Sequence, residues 1–162
     1  RTATRSPWTI FRVRRCHASG SQLGSALCWS RTTEIAGFAV SQIATADEAL
    51  DTLSSEATPV ALALIDVMLG ARAGEGDGPF TLENTHNFTR TGIRLLELLR
   101  ARRPGTFPER AVFFSMAASE ELVAAITDVS DRQGVPYLRK DAFDTPYQFC
   151  LHIAEILHDL DG

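Results

Sequence analysis

Val60-Ala-Leu-Ala-Leu-Ile-Asp-Val-Met-Leu69 decides the fold. Six apolar residues run into Asp66, and three more follow it. A continuous apolar run containing Val and Ile reads as a strand buried on both faces. An acid at its end needs a reason, because burying a bare carboxylate costs several kcal/mol unless it is paired or reaches water. In doubly wound α/β sheets the carboxyl ends of strands are where ligands bind. Asp66 is therefore either a site residue or a hydrogen-bonded structural acid.

Downstream of this run, strands and helices alternate. Gly70 to Arg90 shows neither helical nor alternating pattern, and reads as a solvated loop insertion. Thr91 is placed to cap a helix through Arg103, with Ile93, Leu96 and Leu99 inward. Ala111 to Ser115 is a second buried strand, ending in a hydroxyl. Ser119 caps the next helix, Glu120 and Glu121 suit its dipole, and Leu122, Val123, Ile126 and Val129 form its buried stripe. Gly134 stops it. Val135 to Arg139 is a third strand, running into Lys140. Thr145-Pro146 opens the last helix, with Phe149, Cys150, Ile153, Ile156, Leu157 and Leu160 on one face.

Upstream, Phe38 to Ala44 reads as a strand. Thr45-Ala-Asp-Glu48 is a capping box, opening a helix that buries Ala46, Ala49, Leu50 and Leu53. Trp8 to Val13 has strand composition. Residues 22 to 36 make a poor helix, with Gly24, Trp29 and a Thr pair against it. Alternation of this kind predicts an α/β fold with a parallel sheet and helices on both faces. Asp66, Ser115 and Lys140 then end successive strands on one rim. Carboxylate, hydroxyl and ammonium can converge there, where the ammonium and hydroxyl would bind an oxyanion that arrives on the carboxylate.

Composition agrees with one ordinary domain over residues 1–162: 44% hydrophobic, 22% charged, net charge −4. That charge balance predicts no general nucleic-acid binding, and no run is long enough for a membrane helix. Three scattered cysteines without a C-x-x-C pattern suggest a reducing compartment, and a cytoplasmic location is expected. Basic residues are Arg fifteen times and Lys once, at Lys140. An ammonium differs from a planar fork in reach and hydration, so this position reads as one that rejects Arg, a reading favoured over the chance placing of a lone lysine.

Leu-Ile-Asp66-Val-Met68-Leu, Phe-Phe-Ser115-Met-Ala, and Val-Pro-Tyr137-Leu-Arg-Lys140, with Thr91-Gly92 opening a helix, resemble the response-regulator receiver domain of two-component signalling. The likeness covers Phe38 to Leu160. It implies a flavodoxin-like, five-stranded parallel sheet in the order 2-1-3-4-5. It further implies that Asp66 accepts a phosphoryl group from a sensor histidine kinase or phosphotransfer protein. Lys140 and Ser115 would bind that group, and Tyr137 would turn inward to switch a surface for a downstream protein target. Mg²⁺ would be held by Asp66, the Met68 main-chain carbonyl and an acidic pair. Such a domain is a phosphoacceptor regulator rather than an enzyme acting on other substrates.

The chain departs from this pattern in three places. Residues 1–37 match the family's first strand and helix poorly: Arg14-Arg15 follows the strand where the family has adjacent acids, and no acid precedes Glu34. Three readings are open: a degenerate receiver, replacement acids from Glu75, Asp77 or Glu83, or a non-native start before about residue 35. The insertion over 70–90 is the second departure. Asp141, where the family often has a cis proline, is the third. The rival reading is a pseudo-receiver that serves as a protein-interaction module without phosphorylation. A flavodoxin-like small-ligand domain, with Lys140 gripping an anion, is a weaker third.

Overall fold

The computed structural model describes residues 10–15, 38–58, 60–69, 78–116 and 119–161. The elements run β1 (Ile10–Arg15), β2 (Phe38–Ile43), α1 (Ala46–Ser54), β3 (Leu62–Ile65), α2 (Thr91–Arg102), β4 (Ala111–Ser115), α3 (Glu120–Gln133), β5 (Tyr137–Arg139), a 3-10 turn (Lys140–Ala142) and α4 (Pro146–Asp161). The doubtful helix over 22–36 falls outside the described residues.

β3, β4 and β5 form a parallel sheet, with Ile65 opposite Phe113 and Phe113 opposite Tyr137. Both central strands are buried on two faces, as their unbroken apolar runs require. Ala63, Ile65, Ala111 and Phe113 point into one core, where α1, α2 and α3 contribute Leu50, Leu53, Leu96, Leu99 and Ile126. Leu62, Leu64, Val112 and Phe114 point into another, closed by Phe149, Cys150, Ile153 and Leu157 of α4. Among the described residues, three helices therefore cover one face and α4 the other. The fold is mixed α/β.

The expectation of five parallel strands is corrected at β1. This strand pairs with β2 on one side and β3 on the other, antiparallel to both. Ile10 lies opposite Ile65 and Ile43, whereas Arg15 lies opposite Phe38. Arg14 and Arg15 thus sit toward the start of β2, at the rim away from Asp66, and not where an acidic pair would stand. A β-rich composition carries no chain direction, and antiparallel ladders pair slightly more favourably per residue.

Thr45 caps α1 as its box predicts, accepting from the Glu48 amide at 3.3 Å. Ser119 caps α3, and Gly134 ends it at φ 68°. The expected Thr91 cap is not formed. Thr91 is the first helical residue, fully buried, and its hydroxyl donates to the Phe88 carbonyl at 3.2 Å. Val123 is half-buried rather than part of the buried stripe.

Over the described residues 78–90 the segment read as an insertion is a run of turns without helix or strand, exposed or half-buried but anchored at two points. Phe80 and Thr85 are buried. The Thr81 amide donates to Asn84 Oδ1 at 2.9 Å, and the Asn84 amide returns a bond to Thr81 Oγ1 at 3.2 Å. This is a capping box with Asn in the acid's place. The turn it opens closes with His86 left-handed (φ 48°), His86 N donating to Glu83 O at 3.3 Å and Asn87 N to Leu82 O at 2.8 Å. That pair of bonds is a Schellman ending. Asn87 and Phe88 are left-handed as well (φ 56° and 63°), a conformation that costs non-glycine residues free energy. The Thr85 hydroxyl accepts the Phe88 amide at 3.1 Å and so holds the reversal.

Candidate functional site

Asp66 follows the last residue of β3, where a buried strand opens to the sheet rim. It is 9% exposed. Its Oδ1 accepts from Ser115 Oγ at 2.8 Å and from the Met68 amide at 3.2 Å. Its Oδ2 accepts from Lys140 Nζ. The parallel register of β3, β4 and β5 sets this geometry. Ser115 is the last residue of β4, Lys140 follows the last residue of β5, and the three ends align. The structure therefore brings together the acid, alcohol and amine that the sequence places at strand ends.

Each partner is held by its surroundings. Ser115 is fully buried. The Lys140 ammonium also lies 5.6 Å from the Phe114 ring centroid, close enough for a cation–π contribution. Phe114 in turn packs on Phe149 at 4.7 Å, which couples the lysine's bed to α4. Tyr137 sits on β5, half-buried against the core shared by α1, α2 and α3. Met68 supplies its amide to Asp66 while its side chain is exposed. Met116, directly after Ser115, is exposed as well.

Gly92 fixes the acid's main chain. Its amide donates to Val67 O at 2.9 Å. A Cβ there would lie 2.2 Å from the Asp66 carbonyl oxygen and 2.8 Å from Val67 Cα. No side chain fits, so the second position of α2 is bound to glycine by close approach. The sequence signal was the Thr-Gly pair at the helix start; what it could not show was that Gly92 presses on Asp66 itself.

After Lys140 the chain enters the 3-10 turn. Arg139 Nε and Nη2 donate to the two oxygens of Asp141 at 2.9 and 2.6 Å. This hydrogen-bonded guanidinium holds the Asp141 carboxyl below its ordinary range and raises Arg139 in return. A two-pronged exposed ion pair thus shapes the turn in which the family often carries a proline.

The resemblance implies an Mg²⁺ site beside Asp66. Both Asp66 oxygens are already hydrogen-bonded. No group of three His, Cys, Asp or Glu among the described residues could hold a metal ion. Glu83 is exposed on the 81–85 turn, and Glu75 and Asp77 lie outside the described residues. No helix among the described residues is long and apolar enough to cross a membrane.

Searches of protein-family models, of curated proteins and of solved structures found nothing that matches this chain.

Proposed function

We propose that the chain is a cytoplasmic receiver-like domain of a phosphorelay, on a flavodoxin-like scaffold whose first strand is reversed. Asp66 is its phosphoacceptor. The observation that carries this reading is the single carboxylate gripped at once by Ser115 and Lys140 from neighbouring strand ends.

The chemistry follows from that grip. A carboxylate beside an ammonium stays charged and nucleophilic. An Asp66 oxygen attacks the phosphorus of a phosphohistidine on a sensor kinase or phosphotransfer protein. The new O–P bond forms as the P–N bond breaks, and the leaving imidazole nitrogen keeps the electron pair and takes a proton from water. Lys140 then balances the charge on the phosphoryl oxygens. Ser115 exchanges its bond to Oδ1 for one to a phosphoryl oxygen, and Tyr137 follows it inward, altering the surface offered to a downstream protein. No step is assigned to a metal ion.

Acetyl phosphate, supplied with and without Mg²⁺, tests the reading by intact mass. One added phosphoryl group on the native chain, absent from Asp66→Asn, supports it. A native chain that takes none under either condition overturns it, and leaves the second reading, a pseudo-receiver that binds proteins without phosphoryl transfer. The hydrogen bonds that both Asp66 oxygens already accept favour that alternative.

A further inference from the structure

We infer that the cleft between the 81–90 turn, α2 and α3 is a binding site for a small phosphate monoester with an apolar body. The cleft encloses about 240 Å³ and lies apart from Lys140 and Ser115. Arg90, Arg94 and Arg132 line it together with Glu97 and Asp128, the resting partners of Arg94 and Arg132, and its apolar wall includes Ile93 and Val129. Guanidinium forks match phosphate oxygens in geometry, and apolar walls suit a hydrocarbon body.

The resting ion pairs leave these cations available. Arg132 is held by Asp128 one turn back on its own helix, at 2.6 Å, with both side chains mostly exposed. Arg90 meets Glu121 only at 3.5 Å, and Glu121 is 87% exposed. Exposed pairs of this kind are weak and exchange readily for a better-placed anion. Arg94 spends Nη1 on Glu97 at 3.1 Å, and its side chain is 35% exposed, so this pair too can exchange. Arg90 and Arg94, one turn apart at the start of α2, and Arg132 of α3 line the same space. A tetrahedral anion with three free oxygens answers that arrangement better than a planar carboxylate with two.

The test is titration of the whole chain with phenyl phosphate, followed by amide NMR, with benzoate and inorganic phosphate in parallel. Saturable shifts at Ile93, Arg94 and Val129 are expected. Arg94→Gln and, as a second variant, Arg132→Gln should each weaken binding about tenfold, the loss of roughly one charge-assisted hydrogen bond. Shifts that gather at Ser115 and Lys140 instead, or that survive both substitutions unchanged, overturn the site. Equal affinity for benzoate or for inorganic phosphate overturns the ligand class.

Discussion

A cation meets oxygen at each end of the parallel sheet, and the two ends are built differently. At the amino end, Arg103 Nη1 faces three main-chain carbonyls, of Leu53, Ser55 and Thr58, at 2.9 to 3.1 Å. Arg110 Nη1 donates to Ala61 O at 3.0 Å. At the carboxyl end, Lys140 meets the carboxylate of Asp66. Carbonyls are permanent and neutral, so the arginine contacts persist in every state of the chain and serve to tie α2 to the end of α1. A carboxylate can change charge and bonding, so the lysine contact can be rewritten. A point charge on a flexible stem suits the second role, and a broad fork suits the first.

The sharpest way to break this contrast is at Asp66. Asp66→Asn should abolish the acetyl phosphate adduct, and an adduct that persists would move the phosphoacceptor elsewhere. Next in size is Gly92→Ala. Its Cβ would collide with the Asp66 peptide, so unfolding by urea should show a loss of about 3 kcal/mol. Gly105→Ala is the matched control: nothing lies within 4 Å of its Cβ, and stability should change little. A Gly92→Ala chain as stable as the control would mean that α2 does not press on the acid.

Arg103→Gln probes the other end. Removing a charged donor from three carbonyls should cost about 2 kcal/mol by the same unfolding measurement, with the adduct at Asp66 retained. Loss of the adduct in a folded Arg103→Gln chain would erase the division between the two ends. The smallest effect belongs to Asp141→Asn. A carboxyl held below its ordinary range stabilises above its unfolded pKa, and that contribution is lost as pH falls through the folded one. The variant should melt slightly lower at neutral pH, and the gap should close in acid and in high salt, since both side chains are about half exposed. A gap that widens in acid would reverse the sign and exclude the Arg139 contact as its cause.

The legible parts of the molecule are those in which one local pattern has one outcome. An apolar run such as Val60 to Ile65, too short and β-branched for a helix of its own, becomes a two-faced strand. Polar residues at the ends of such runs then meet, so Asp66, Ser115 and Lys140 were findable. The direction of β1 was not, because alternation and β-propensity read the same forwards and backwards. The 81–85 turn was missed because it is too short to show a period; its signal was the Thr81–Asn84 spacing, a reciprocal cap. Arg103 reads locally as a complement to its own helix dipole. Its partners are 45 to 50 residues away, and no local pattern names them.

The reversal of β1 changes what the pairing of β1 with β2 asks of the chain. Two neighbouring parallel strands must be joined by a return path over a sheet face, usually helical, and its handedness is then fixed. Strands that run opposite ways need only a hairpin, however long. Among the described strands, β1 and β2 are thus the one sequential pair whose joining needs no crossover.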